Sequence, residues 1–256
     1  MNKKLRAIIE KTKKVEWETI VCANRGNSSC APENTLAAFK SALELKVDAV
    51  ELDVHLSSDG EIVVIHDENT KRTTGRDSLI AEMTLKQIRQ LDAGGWFDPK
   101  YKGEKIPTLK EVIQLVRGKA ALFIEVKGKK STRNIFTKNL NFLLNKFNLL
   151  DKVVVFSFQK DFVQKLKQVC PQVATTLSTS TEEEFRKALG YDWIDGVLPH
   201  YNSITKEIII QKNRSGKWNL VWTVDDIFVM KCLLNMQAAD AIITNRPALL
   251  LKCLQR

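Results

Sequence analysis

Two acidic residues on one face of a predicted strand are the first sign of chemistry in this sequence. Apolar and polar side chains alternate from Val50 to Leu56, which predicts a β-strand with one polar face. Glu51 and Asp53 then project from the same side of that strand. Buried carboxylates so close together repel unless a cation or a proton neutralises them, which favours a site for a hard metal ion. The alternative is a solvated sheet face, on which alternating acids are common.

A histidine follows this strand at a distance that a hairpin would close. The apolar run Ile62 to Ile65 comes after Asp59-Gly60, a strong turn signal between two apolar runs. If these two residues form a two-residue turn, continued pairing places Asp53 opposite His66. That register predicts an imidazole beside the acids, where it could carry a proton. A single histidine often has no chemical role, so this prediction depends on the rest of the chain.

The remaining sequence supplies the elements that must position these residues. From Thr19 onward, apolar strands alternate with amphipathic helices, and eight strands are counted when the return strand of the hairpin is set aside. Such alternation predicts parallel pairing, and eight units in about 240 residues favour an α/β protein of the (β/α)8 TIM-barrel class. We predict a basic helix or tail over residues 1–18, one barrel domain over 19–256, and a polar insertion over 68–107 after the second strand.

Barrels of this class carry their sites at the carboxyl ends of the strands. Asn24-Arg25 follows the first predicted strand, Glu125 and Lys127 end the third, and Trp222 ends the seventh. Glu125 and Lys127 share one face of their strand, so a third carboxylate points the same way as the first two. A salt-bridged strand end is the alternative interpretation of this pair.

The predicted ligand set is one of oxygen atoms. Glu51, Asp53 and Glu125 would converge from adjacent strands, and three carboxylates suit Mg²⁺ or Ca²⁺. The sequence has no cluster of His or Cys residues that would favour zinc. Arg25 and Lys127 beside such a dication would make a place for a phosphate group.

Charge and cysteine content limit the other classes of function. The formal net charge of +10 favours anionic partners, but the basic residues are scattered and no basic stretch is interleaved with aromatic residues, so nucleic acid is not an expected partner. The five cysteines lack the spacing of a disulfide framework or a zinc site, which predicts a reducing, cytoplasmic location. No apolar run reaches the 18 or so residues of a membrane-spanning helix, and Ala7-Ile8-Ile9 is too short for the core of a signal peptide.

The motifs taken together resemble those of glycerophosphodiester phosphodiesterases over nearly the whole chain from residue 19. The segments that carry the resemblance are Ala23-Asn24-Arg25-Gly26, Ala31 to Leu36, Val50 to Val54, Asp59-Gly60, His66-Asp67, Arg72-Thr73-Thr74, Ile124 to Lys127 and Trp222-Thr223-Val224. The resemblance implies hydrolysis of glycerophosphodiesters, such as glycerophosphocholine or glycerophosphoethanolamine, to glycerol 3-phosphate and an alcohol. It also implies that Glu51, Asp53 and Glu125 bind the metal.

The same resemblance assigns roles to the remaining site residues. Arg25 and Lys127 would contact phosphate, Trp222 would line the glycerol side of the pocket, and His66 would be one of two catalytic histidines. The other catalytic position is occupied by Asn24, where the family has histidine. An amide cannot exchange a proton near neutral pH, so we expect a loss of roughly 10²- to 10⁴-fold in rate.

Two further functions remain open at this stage. One is a binding protein that keeps metal and phosphodiester recognition but has lost catalysis, for which Asn24 is the support. The other is a related barrel phosphodiesterase that acts on lysophospholipids and stops at a cyclic phosphate. The sequence also has Asn245 where the family usually has Asp in the segment that closes the barrel, and we interpret this difference as structural.

Overall fold

A closed ring of parallel strands forms the centre of the protein in the computed structural model, which describes residues 2–12, 19–128 and 130–256. The strands in this part of the chain are β1 (Ile20–Ala23), β2 (Ala49–Leu56), β3 (Ile62–Val64), β4 (Ala121–Val126), β5 (Val153–Ser157), β6 (Ala174–Thr179), β7 (Gly196–Pro199), β8 (Trp218–Val221) and β9 (Ala241–Thr244). Because β1 pairs with both β2 and β9, all strands except β3 close into an eight-stranded parallel barrel. The predicted (β/α)8 TIM barrel is confirmed.

Helices surround this barrel and connect its strands. They are α1 (Lys3–Glu10), α2 (Leu36–Glu44), α3 (Lys71–Thr74), α4 (Leu85–Ile88), α5 (Leu109–Val116), α6 (Arg133–Lys146), α7 (Lys160–Val169), α8 (Glu182–Leu189), α9 (Lys206–Ser215), α10 (Ile227–Asn235) and α11 (Pro247–Cys253). Short 3₁₀ turns lie at Ile80–Glu82, Pro99–Tyr101, Lys130–Thr132 and Tyr201–Ser203. Several helices begin at threonine caps; Thr108 and Thr181, for example, each form a capping box with the glutamate three residues on.

Side chains alternate along each strand between two apolar layers. One layer packs against the helices, and the other fills the inside of the barrel, where Phe123, Phe156 and Trp218 are buried. Leu5 and Ile9 of α1 join the inner layer beside the first residues of the strands, so α1 closes the amino end of the barrel. Burial of each such side chain stabilises the fold by roughly 1.5–3 kcal/mol. The polar interior positions are therefore left for the carboxyl ends of the strands.

The hairpin after β2 differs from the predicted two-residue turn. Leu56 pairs with Ile62, which shifts the whole register by one residue and places Asp53 beside Ile65 rather than His66. The loop has three residues, and Gly60 occupies its left-handed position with φ +84°. Asp-Gly is also compatible with this longer loop, which is why the sequence alone led to the wrong register.

Residues between β3 and α5 form short helices and turns over their own apolar cluster. That cluster includes Ile80, Met83, Ile88 and Leu91, which pack against Val63 of the hairpin. The helix α4 in this segment ends at Ile88. The proposed boundaries of the insertion and of the single barrel domain stay predictions. The predicted basic helix or tail over 1–18 lies partly outside the described residues, which include α1 but not residues 1 and 13–18.

Candidate active site

Three carboxylates meet at the carboxyl end of β2 and β4. Asp53 and Glu125 are directly paired across the two parallel strands, and Glu51 precedes Asp53 on the same face. One oxygen from each of the three lies within 4.8 Å of the others. Glu51 and Asp53 are almost fully buried, and Glu125 is largely so. The donor set and its spacing fit a hard divalent cation such as Mg²⁺ or Ca²⁺.

The electrostatics of this cluster point to the same conclusion. Burial raises the pKa of Glu51 well above its usual range, and the charges of Asp53 and Glu125 add to the effect. Burial, with Asp53, raises the pKa of Glu125 to about 7. Burial alone would also raise the pKa of Asp53, but Lys127 and Arg25 outweigh it and the pKa is lowered. Carboxylates kept together at this cost form a cluster that could hold a cation.

Two basic side chains border the carboxylates. Lys127 Nζ lies 3.2 Å from Asp53 Oδ1 and 3.0 Å from Glu125 Oε1. Arg25 Nε lies 3.2 Å from Asp53 Oδ2, and its Nη1 donates to Glu33 Oε1 at 3.0 Å. Both side chains are partly exposed towards the cavity described below, so they can also meet an anion that enters it.

A strained turn after β1 holds Arg25 in this position. Arg25 has a left-handed backbone with φ 54°, and its N–H donates to Glu51 Oε2 at 2.9 Å. Gly26 follows with φ 81°, and a side chain there would meet the Ala38 carbonyl carbon of α2 at 2.6 Å. Only glycine allows this close approach of the turn to the helix. The turn that presents Arg25 to the site therefore requires glycine at position 26.

His66 lies just beyond β3, where the chain has left the sheet. Its Nδ1 donates to Asp67 Oδ1 at 2.6 Å, which leaves the other ring nitrogen for a ligand. Burial lowers the pKa of His66, and Arg25 and Lys127 add to this effect, while Asp53 and Asp67 oppose it. His55 Nε2 donates to the His66 carbonyl at 3.0 Å and so fixes the backbone that carries the imidazole.

Asn24 lies at the other side of the carboxylates, at the end of β1. Its Nδ2 donates to Asn245 Oδ1 at 2.8 Å, and Asn245 Nδ2 in turn donates to Asp225 Oδ2 at 2.6 Å. Ser28 Oγ also donates to Asn245 Oδ1 at 2.8 Å. Asn24 is thus held by a chain of hydrogen bonds that runs through Asn245 and ends at the carboxylate of Asp225.

These side chains line one cavity of about 70 Å³ at the mouth of the barrel. It brings together every residue that the sequence singled out for the site: Asn24, Arg25, Glu51, Asp53, His66, Glu125, Lys127 and Trp222. Trp222 forms an apolar wall, held by its Nε1–H, which donates to the Leu198 carbonyl at 2.8 Å. The Phe158 and His200 rings pack edge-on against it. The catalytic, phosphate-binding and metal-binding roles of the eight residues stay predictions.

Several supporting residues have no role in the sequence prediction. Asn34 Nδ2 donates to Asp53 Oδ2 at 2.8 Å, and Glu33 accepts from both Arg25 and Arg72. Arg72 also donates to Asp67 Oδ2 at 2.6 Å and so orients the partner of His66. These residues lie inside the sequence motifs that resemble the family, and membership of those motifs is the signal that could have identified them. The helix α2 that follows Asn34 is capped by Thr35.

Comparisons with known proteins identify the family to which the chain belongs. Residues 25–249 match the model of the glycerophosphoryl diester phosphodiesterase family. The chain is 35% identical to a glycerophosphodiester phosphodiesterase of Caldanaerobacter subterraneus subsp. tengcongensis, over 93% of this chain and 99% of that protein. It is 34% identical to a putative glycerophosphodiester phosphodiesterase of Bacillus subtilis, over 91% and 96% of the two chains.

The solved structures include a phosphodiesterase of Oleispira antarctica in complex with its product sn-glycerol-3-phosphate. It superposes with a TM-score of 0.85 at 28% identity, over 93% of this chain and 97% of that one. Within the described parts of the chain, the helices lack the combination of length and hydropathy that a membrane span needs. The chain belongs to the glycerophosphoryl diester phosphodiesterase family and is a phosphoric diester hydrolase.

Proposed function

We propose that this protein hydrolyses glycerophosphodiesters to glycerol 3-phosphate and an alcohol, with a divalent cation and at a rate that Asn24 limits. The observation that carries the proposal is the convergence of three buried carboxylates, two basic side chains and one histidine on a single cavity. The product named in the Oleispira antarctica complex supports glycerol 3-phosphate as the product here.

Glu51, Asp53 and Glu125 would hold the cation, Mg²⁺ or Ca²⁺. When bound, the ion would neutralise charge on the phosphoryl oxygens and polarise the phosphorus centre. The raised pKa values of Glu51 and Glu125 support this assignment, because a dication favours the ionised form of both carboxyl groups.

Arg25 and Lys127 would bind the phosphodiester from its basic side. Arg25 offers a planar fork of N–H groups that suits two phosphoryl oxygens, and Lys127 offers a point charge. Both already contact Asp53, so they are held in place before the substrate arrives. Trp222 would pack against the carbon atoms of the glycerol moiety, since its ring forms the apolar wall of the cavity.

The reaction that suits these residues has two steps. The hydroxyl next to the esterified carbon of glycerol attacks phosphorus and loses its proton to solvent, the bond from phosphorus to the departing alcohol breaks, and a cyclic phosphate forms. His66 would donate the proton that the departing oxygen needs. Water then adds to the cyclic phosphate, His66 would take a proton from that water, and the ring oxygen leaves phosphorus and takes a proton from solvent to give glycerol 3-phosphate.

Asn24 limits the first step because it cannot accept the proton of the attacking hydroxyl. Its amide can still hydrogen-bond to the glycerol or to a phosphoryl oxygen. Loss of one general base removes roughly 10²- to 10⁴-fold in rate, whereas the electrostatic stabilisation from Arg25 and Lys127 remains. We therefore propose slow turnover rather than none.

The test is release of glycerol 3-phosphate from glycerophosphocholine with Mg²⁺, Ca²⁺ or EDTA. We expect slow turnover that EDTA abolishes and that is lost in Asp53→Asn. Metal binding without turnover on any diester would overturn the proposal and leave a binding protein. A cyclic product released from lysophosphatidylcholine, with no activity on glycerophosphocholine, would instead favour the lysophospholipid reaction. We also propose a cytoplasmic location, because the five cysteines lack the spacing of a disulfide framework.

A further inference from the structure

A second and larger cavity opens on the other side of His66. Its volume is about 300 Å³, which is within the range of small-molecule sites. His66 and Lys127 line both this cavity and the one that contains the carboxylates. A phosphodiester held at these two side chains would therefore have one substituent in each cavity.

The two cavities differ in what they can hold. The smaller one contains Trp222 and Asn24 and suits the glycerol moiety under the proposed function. The larger one contains neither, and it begins at His66, the group that would protonate the departing oxygen. Because the proton donor borders both cavities, the attacking hydroxyl would lie in one cavity and the departing oxygen in the other.

The larger cavity has apolar side chains on part of its wall, neutral polar groups from Thr132 and Gln159 on another part, and one carboxylate. Leu56, Leu79 and Ala81 supply carbon atoms, and Glu68 is the acidic residue among the lining side chains. Lys127 is already paired with Asp53 and Glu125, so its charge is largely compensated. Within the described part of the chain, the Glu68 side chain makes no hydrogen bond and no ion pair.

The backbone fixes this wall. The Glu68 carbonyl accepts from Ile80 N–H at 2.9 Å, and the Thr70 N–H donates to the Ser78 carbonyl at 3.0 Å. Asn69 and Leu79 also form a bridge of antiparallel type. Glu68 and Leu79 are thus held on two paired segments, and the position of the carboxylate relative to the apolar wall is built into the fold.

We infer that this larger cavity is the subsite for the departing alcohol and that Glu68 selects short amino alcohols, such as choline or ethanolamine, over neutral polyols. The inference rests on the proposed function, since it assigns the leaving side of the same reaction. The ammonium group would lie near the Glu68 carboxylate, and the carbon atoms of the alcohol would contact Leu56 and Leu79. Glu68 is exposed, so the expected preference is modest, about five-fold.

The test compares kcat/KM for four diesters: those of choline, ethanolamine, glycerol and inositol. We expect the two cationic alcohols to lead by about five-fold, and Glu68→Gln to remove that lead without changing the two neutral substrates. Glu82→Gln is the matched control, because Glu82 is an exposed carboxylate of the same segment that does not line the cavity. Added salt should reduce the preference in the parent protein and leave Glu68→Gln unchanged.

A second variant tests the location without relying on charge. Ala81 is exposed and lines the cavity, so Ala81→Trp should fill part of it without disturbing the core. It should slow hydrolysis of the choline and inositol diesters and spare the methyl diester of glycerol 3-phosphate. Turnover with no response of the headgroup preference to Glu68→Gln, or equal effects of Ala81→Trp on all diesters, would overturn the subsite alone. Absence of turnover on every diester would overturn the proposed function and the subsite with it.

Discussion

Asn24 and Asn245 are joined by a hydrogen bond of 2.8 Å from Nδ2 to Oδ1 between the ends of β1 and β9. Asp225 determines which of the two amides is the donor in this hydrogen bond. A carboxylate only accepts, so Asn245 must present its Nδ2 to Asp225 and its Oδ1 to Asn24. Asn24 then has to donate. Asn24 and Asn245, the two positions at which the sequence resemblance predicts a departure from the family pattern, are therefore in direct contact, and the orientation of each amide depends on the other.

The first prediction concerns Asn24→His. An imidazole there can donate one N–H to Asn245 Oδ1 and present its other nitrogen to the glycerol hydroxyl. We expect kcat on glycerophosphocholine to rise by roughly 10²- to 10⁴-fold. Steady-state kinetics measures this, with Asn24→Gln as the control that keeps an amide. An unchanged kcat in Asn24→His would show that position 24 does not limit the rate.

A second prediction follows from the contact with Asp225. Asn245→Asp alone should destabilise the protein by about 1–3 kcal/mol, because Asp225 loses a donor and meets a like charge. Adding Asp225→Asn should restore stability, since the pair again has one carboxylate and one amide. In that background the charge lies beside position 24, and Asn24→His should gain about ten-fold more activity than it does alone. Chemical denaturation and kcat measure the two effects, and equal stability of Asn245→Asp and the parent would contradict the argument.

Features that depend on neighbouring residues could be predicted from the sequence, whereas several that depend on distant residues could not. Alternation of strands and helices predicted the barrel because each element forms from local periodicity, and side-chain parity placed Glu51, Asp53 and Glu125 on a common side. The hairpin register failed by one residue because Asp59-Gly60 fits both a two-residue and a three-residue loop. Local pattern cannot choose between them.

Several long-range contacts that support the site could not be predicted from the sequence. Asn24 and Asn245 are 221 residues apart, and only closure of the barrel through β1 and β9 brings them together. Glu33 and Arg72 are 39 residues apart, and their ion pair depends on how the segment after the hairpin packs. Nothing in the types of these residues distinguishes them from ordinary surface charges until the fold is known.

The third prediction links metal binding to pH. Burial and Asp53 raise the pKa of Glu125 to about 7 from a usual value of 4.5. The folded protein without metal thus binds a proton that the unfolded chain releases, and its stability falls as the pH rises from about 4.5 to about 7. Metal binding needs the carboxylate, so affinity should be about ten-fold weaker at pH 6 than at pH 8.

Isothermal titration with Mg²⁺ or Ca²⁺ at both pH values measures this difference, together with the shift in Tm that the metal produces. His66→Gln is the control, because the imidazole also titrates near this range. The pH effect should persist in that variant. If the pH dependence of metal affinity disappeared in His66→Gln, it would come from His66 rather than from Glu125. Glu125→Gln should bind metal more weakly at both pH values and with a smaller dependence on pH, which the raised pKa of Glu51 would then supply.

The fourth prediction concerns the partner of His66. Arg72 and the His66 imidazole hold the pKa of Asp67 at about 2 although partial burial opposes this, so Asp67 is a carboxylate throughout the working range of pH. Asp67→Asn keeps the size of the side chain but weakens its bonds to His66 and Arg72. We expect kcat to fall about ten-fold or more, with metal affinity unchanged. Asp77→Asn is the matched control, since Asp77 is fully exposed and also pairs with a basic residue. Equal effects of the two substitutions would remove Asp67 from the positioning of His66.

The last prediction separates backbone strain from close packing at the Arg-Gly turn. Gly26 and Gly75 have similar left-handed backbones, with φ 81° and 75°. A methyl group at Gly75 would meet nothing within 4 Å, whereas at Gly26 it would lie 2.6 Å from the Ala38 carbonyl carbon. Gly75→Ala should therefore cost about 1–2 kcal/mol from the backbone alone.

Gly26→Ala should cost about 1–3 kcal/mol more, because α2 has to move away from the turn. That movement also displaces Arg25, whose N–H donates to Glu51 and whose side chain contacts Asp53. We therefore expect weaker binding of glycerol 3-phosphate in Gly26→Ala and unchanged binding in Gly75→Ala, measured by calorimetry alongside chemical denaturation. Equal stability losses in the two variants would mean that α2 adapts freely, and then the close approach at Gly26 would not be what positions Arg25.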